Sequence, residues 1–367
     1  MSIIKSKTLA AAVALCTAPH AFSAYELDLG DGNKLAFGGY VKADVRYVDG
    51  DIGYQDYWRG NNPGFADTSK THFNVKETRF NTKYTHGDVT AFIEMDFYGG
   101  DGNEVATNGT NPRLRHAFVQ YKNWMAGQFW STFTPLKAFP DSLDFGGPIV
   151  GEVFIRQPMV RYRTGGFSLA VENPETWGGD TPTGINSNGG GSTGIDNDED
   201  IPDLVATYAF KGDWGEVQAG VLARKLEQGG VDETAIAGNI GGKINIGKDD
   251  IRFQVNFGES GRSVGAGMTH DIVIGDDGQY EVEETTAYTV AYRHLWSDKW
   301  RSTAYYGYAE TDVRDFERSH WGVNLIRQLT PALSVGAELG NYDISDGGDG
   351  AENGDSTYFQ LSAKFGI

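Results

Sequence analysis

No intrachain disulfide can form here, because the 367 residues contain one cysteine, Cys16. After residue 24 no apolar run is long enough for a membrane helix, which needs about 20 residues. Positive charge is scarce. Lys and Arg number 31 against 50 Asp and Glu, a formal net charge of -19. Nucleic-acid binding wants a basic patch, so no nucleic-acid partner is expected. Metal signatures are thin. The histidines at 72, 86, 116, 270, 294 and 320 show no zinc spacing. Asp196, Asp198 and Asp200 alternate like the start of a calcium loop. The glycine expected next and the distant bidentate Glu are missing. Gly258-Glu-Ser-Gly261 lacks the residue that a nucleophile elbow places between Ser and the second Gly. No catalytic residues and no cofactor are expected.

The N-terminus has the order of an export signal. Lys5 and Lys7 precede the apolar run Leu9 to Leu15, and Ala-Phe-Ser-Ala ends at Ala24. This predicts a signal peptide over 1–24 and a mature domain over 25–367. Leu15 stands before Cys16 where a lipoprotein site wants a small residue, so no lipid anchor is read.

The mean hydropathy of -0.42 looks soluble, yet a barrel strand shows lipid only every second residue. Period two recurs along the chain. Leu35, Phe37, Val41, Ala43, Val45 and Tyr47 oppose Tyr40, Lys42, Asp44 and Arg46. Ile251, Phe253, Val255 and Phe257 oppose Arg252, Gln254 and Asn256. Phe359, Leu361, Ala363, Phe365 and Ile367 alternate with polar residues to the last position, as in a strand that closes a barrel. Phe73 and Val75 are out of phase with Phe80 and Tyr84, which predicts a bulge between them. Short connections (85–88, 211–213, 247–250, 297–299, 330–331) alternate with long ones (49–71, 99–111, 131–152, 174–203, 227–234, 259–283, 312–318, 344–355). That asymmetry predicts a sixteen-stranded antiparallel transmembrane β-barrel with tight periplasmic turns and long outer loops. Aromatic residues make up 13% of the chain, enough for girdles at both interfaces.

The connection over 131–152 is partly apolar and carries Asp141 and Asp144, unlike an ordinary surface loop. Folded back into the lumen it would bury its apolar parts against the wall and leave its acids at a constriction, so it is a candidate constriction loop. A lid or a subunit contact is the competing reading. A charge facing lipid at mid-depth costs roughly 2–4 kcal/mol. Lys42, Arg46, Arg79, Lys83, Arg161, Arg163, Arg224, Arg252, Arg293 and Arg301 are therefore expected in the pore lining, with Glu77, Glu94 and Asp96 facing them. Such a lining would attract anions. A self-neutralising ion network that selects nothing is the alternative.

Five stretches carry a family resemblance: Arg113 to Val119, Trp124 to Phe133, Pro140 to Pro148, Arg156 to Tyr162 and Glu172 to Glu175. Together they resemble the DcaP-like porins. The resemblance implies an outer-membrane homotrimer of sixteen-stranded barrels in a Gram-negative cell, surrounded by lipid and lipopolysaccharide. It also implies passive uptake of small anionic solutes, dicarboxylates among them. Many relatives carry a coiled coil before the barrel, for which residues 25–34 leave no room. A cation-preferring or general porin, an outer-membrane enzyme and a non-conducting structural barrel are the alternative functions. The export reading has a direct consequence. Mass spectrometry of the protein from isolated outer membranes should find Tyr25 as the first residue; a retained 1–24 segment would contradict it.

Overall fold

The computed structural model describes residues 25–54, 58, 68–100, 107–178, 200–228, 230–275, 277–346 and 353–367. The expected signal peptide, Asp196 and Asp198 lie outside them. Among the described residues no helix is long and apolar enough to cross a membrane. Helical structure there consists of three short 3-10 turns.

A separate two-stranded hairpin pairs Ile272–Ile274 with Tyr280–Val282 in an outer connection, and one antiparallel sheet forms the wall. Its first strands are β1 (Asn33–Gly50), β2 in two pieces (Thr68–Asn74 and Arg79–His86), β3 (Val89–Asp96) and β4 (Arg113–Tyr121). Then come β5 (Trp124–Trp130), β6 (Arg156–Thr164), β7 (Phe167–Glu172) and β8 (Asp203–Gly212). The third group is β9 (Gly215–Gln228), β10 (Val231–Ile246), β11 (Asp249–Gly258) and β12 (Thr285–Leu295). The last is β13 (Trp300–Thr311), β14 (Glu317–Gln328), β15 (Leu333–Asp346) and β16 (Gly354–Gly366). Each strand pairs with its neighbours in sequence, and β16 pairs with β1 from Tyr40↔Gly366 to Gly50↔Ser356. The sheet is thus a closed sixteen-stranded barrel with no free edge.

Polarity is inverted relative to a soluble β protein. On β11, Val255 and Phe257 point outward, 39% and 56% exposed, while Gln254 and Asn256 are fully buried inside. On β16, Phe359, Leu361 and Phe365 face outward and Tyr358, Gln360 and Ser362 face the lumen. Apolar side chains outside and polar ones inside are what lipid and an aqueous lumen demand.

Two irregularities interrupt the alternation. Residues 75–78 break β2, closed by Thr78 N–H donating to Val75 O at 3.1 Å. Before the break His72 and Asn74 are buried inside; after it Phe80 faces outward and Arg79 inward. This is the expected phase change. The second irregularity lies between β3 and β4, where the register shifts at Glu94/Met95. Met95 pairs with Leu114 and Glu94 with His116, so Arg115 is the extra residue. Arg115 and His116 are consequently both buried inside. A short strand, Tyr25–Gly30, folds back on the foot of β1. There it occupies the side of β1 that β16 leaves below Gly366.

The wall's orientation can be tested by substitution. Val255→Arg should lower stability by roughly 2–4 kcal/mol in urea unfolding from lipid vesicles, because it puts charge against lipid. Lys83→Ala, on the inner face, should leave stability within about 0.5 kcal/mol. Equal effects from the two would contradict the assigned faces.

Candidate functional site: the lumen and its inserted loop

Residues 131–155 leave β5 and return to β6 through the interior. Ser131 N–H donates to Ile155 O at 3.0 Å and closes the neck. The outgoing arm runs past β9, β10 and β11. Gln218 donates to Thr132 O at 3.2 Å, and Arg252 donates to Phe139 O at 2.5 Å. A Cβ added at Gly241 would lie 2.8 Å from the Pro135 ring. Phe133 and Val153 pack with Phe129, Met159, Val205, Leu222 and Ala237, so this side of the lumen is a dry core. The return arm passes β12 and β13. A Cβ on Gly151 would fall 2.1 Å from Tyr288 O, so only glycine lets the backbones approach. Ile149 and Val150 join Val264 and Met268 of the outer connection 259–284, together with Ala287, Ala309 and Phe316.

The turn of the loop is polar and carries the two acids. Asp141 pairs with Arg301 at 2.5 Å, and Asn324 donates to Asp141 O at 2.8 Å. Asp144 pairs with Arg46. Lys42 and Gln360 donate to Leu143 O at 2.7 and 2.8 Å. Glu338 of β15, 1% exposed, is the main anchor. It accepts Leu143 N–H at 2.7 Å and Asp144 N–H at 2.9 Å. It also accepts Asn324 Nδ2–H at 3.0 Å and the Tyr305 hydroxyl at 2.9 Å. A carboxylate with several donors is stable in a buried place because each lone pair is satisfied.

The remaining candidates spread over the wall. Lys42 also pairs with Glu77, which the break in β2 turns inward. Arg224 binds Asp271 and donates to Glu175 O at 2.6 Å, tying two outer connections together. Arg252 and Arg293 both pair with Asp250. Arg161 is buried over the Phe129 ring at 5.3 Å. Arg163 is exposed near the 165–166 turn and Lys83 is half-buried on lower β2. Glu94 pairs with Arg115 at 2.8 Å, and Asp96 with Arg113 at 2.8 Å and Arg115 at 3.0 Å. Asp200 is exposed, and the described residues hold no group of three or more potential metal ligands.

The geometry adds residues that alternation did not single out as lining: Arg113, Arg115, Arg156 and Lys364. Arg115 and Arg156 lie 5.9 and 5.3 Å from the Trp130 ring. Arg79 and Arg113 lie 5.9 and 5.8 Å from the Phe145 ring. These four guanidinium groups face Asp96 and Glu94, an excess of positive charge on the β2–β6 side. Arg79, Arg113 and Arg156 stay partly exposed, whereas Arg46, Arg224 and Arg252 are buried in their pairs. Lys364 sits 3.8 Å from the Tyr40 ring centroid. In the outer connections, burial pushes the Glu283 carboxyl up to about 7. Burial, aided by Arg314, holds His270 down at about 4 and uncharged at neutral pH.

A closed barrel of inverted polarity, with a loop drawn into a charged lumen, defines a transmembrane channel of the outer-membrane type. The sequence matches the Gram-negative porin family over residues 8–347, and the chain belongs to that family. Among solved structures it resembles the outer-membrane channel DcaP of Acinetobacter baumannii. The TM-score is 0.78 at 20% identity, over 93% of this chain and 99% of that one. It also resembles the anion-selective porin from Comamonas acidovorans, with a TM-score of 0.58 at 14% identity, over 91% and 100%. OmpT of Vibrio cholerae in its trimer form gives 0.53 at 13% identity, over 92% and 100%. No curated protein matches the sequence. The protein is an outer-membrane porin.

The loop's seat can be tested at its anchor. Glu338→Ala leaves buried donors without an acceptor and should weaken the seat by roughly 3–5 kcal/mol. Faster proteolytic cleavage within 131–155 and noisier single-channel currents are the expected result. Wild-type behaviour in both would show that Glu338 does not hold the loop.

Proposed function

We propose that this porin passes small hydrophilic solutes passively and prefers anions, small organic acids such as dicarboxylates among them. The observation that carries this reading is an imbalance within the lumen. Asp141 and Asp144 are engaged by Arg301 and Arg46. Arg79, Arg113 and Arg156 remain partly exposed residues beside the loop, and of these Arg113 is paired with Asp96. Guanidinium groups bind carboxylates through two parallel donors. Several such groups in sequence would give contacts strong enough to admit an anion and weak enough to release it. The chain's net charge of -19 does not oppose this, because the field at the narrowest point governs passage.

The likeness to a porin described as anion-selective supports the same reading. The trimer form of the Vibrio neighbour supports a homotrimer as the working unit. Residues 1–24 serve, in this reading, as the export signal of a single barrel domain, with outer-membrane lipid and lipopolysaccharide around the wall. No catalytic step is part of it.

Reversal potentials in a potassium chloride gradient across a planar bilayer test the proposal. Chloride should permeate better than potassium, and Arg79→Ala combined with Arg156→Ala should reduce that preference. Potassium preference in the wild type would overturn the anion reading and leave the porin assignment in place.

A further inference from the structure

The loop crosses the lumen from one wall to another. Leu143 and Asp144 hang from Glu338 on β15 by their backbone N–H groups. One residue later the Phe145 ring meets Tyr98, just beyond β3, with centroids 4.3 Å apart and planes at 35°. Between β15 and β3 the wall consists of β16, β1 and β2. Residues 143–145 and Tyr98 therefore cut that sector off as a chord cuts a circle.

Both ends of the chord are held. The Asn74 amide donates to the Tyr98 hydroxyl at 3.2 Å, and Tyr98 N–H donates to Asp96 at 3.2 Å. Asp144, beside Phe145, is paired with Arg46. Gly147, at φ +59, turns the chain back so that Gly147 N–H reaches Asp144 O at 3.2 Å. Behind the rings lies a small, partly open space lined by Asp44, Arg46, Tyr54, His72, Asn74 and Gln360, all buried. On the other side Arg79 and Arg113 flank the Phe145 ring and stay partly exposed. Two rings in contact leave no room for water between them, so a hydrated ion cannot pass there.

We propose that the Phe145–Tyr98 ring pair is a partition that sets the width of the passage. It seals the β16–β1–β2 sector and confines solute to the arginine-flanked side. The space directly behind the rings is lined mainly by polar side chains and would take up water once a ring is removed. Phe145 and Tyr98 are then size-determining residues, acting by exclusion rather than by binding. This rests on the porin reading of the lumen.

Single-channel conductance tests it. Phe145→Ala and Tyr98→Ala should each raise the conductance step roughly 1.5-fold, because widening the lining widens the conducting path. The double variant should add little, since both substitutions open one contact. Tyr98→Phe keeps the ring and should conduct like the wild type. The reversal potential should hold in all of them, because Asp141 and Asp144 keep the loop on Arg301 and Arg46. Unchanged conductance in both alanine variants overturns the partition. So does a Tyr98→Phe protein that behaves like Tyr98→Ala, or a rise accompanied by a shifted reversal potential, which signals an unseated loop. A wild type that conducts nothing overturns the porin reading and the partition together.

Discussion

Lipid tolerates no unpaired charge at mid-depth, and the rest of this barrel is arranged around that cost. Charged side chains in the mid-depth part of a wall strand have to point inward. Sixteen strands therefore deliver many charged groups into one narrow lumen. Once inside they meet a second penalty, because a charge without a partner in a confined space is costly too. The wall answers part of it: Lys42 with Glu77, Arg252 and Arg293 with Asp250, and Arg113 and Arg115 with Asp96. The inserted loop answers another part, bringing Asp141 to Arg301 and Asp144 to Arg46.

The loop has two halves because it faces two kinds of surface. Its arms bury Phe133, Ile149, Val150 and Val153 against small and apolar residues of β8–β13. Its turn is polar and hangs from Glu338. The hydrophobic effect holds the arms without directing them, and the carboxylate fixes the turn in one place. The result is a one-sided lumen. The arms fill the β8–β13 side, and Arg79, Arg113 and Arg156 on β2, β4 and β6 keep partial exposure. Selectivity in this reading follows from which charges were left over after the loop was seated.

Much of the fold was legible in the residues. Alternation on β11 and β16 is regular, and a period of two has one structural meaning once lipid is the solvent. The break in β2 was legible too, since Phe73 and Phe80 cannot share a face without an extra residue. Arg115 was not. Arg113-Leu-Arg-His-Ala reads as an ordinary alternating strand up to Arg115, and the shift becomes visible only against Glu94 and Met95 on β3. The ten basic wall residues were picked by parity alone. Parity cannot say which of them a solute meets. Arg46 is buried under Asp144, whereas Arg113, outside that set, stays partly exposed.

What the sequence by itself determined is the solvent relationship: the strand count, the face that most strand side chains show and the partly apolar character of the loop over 131–152. Those are local properties, set by neighbours one or two positions away. Only the tertiary structure decided which charges cancel. Asp141 and Arg301 are 160 residues apart and Arg46 and Gln360 are 314 apart. Such pairs exist because closing the sheet brings β1 beside β16 and lets a mid-chain loop reach both. No spacing along the chain encodes that meeting, and it leaves four arginines beside Phe145 and Trp130 sharing two carboxylates, Asp96 and Glu94.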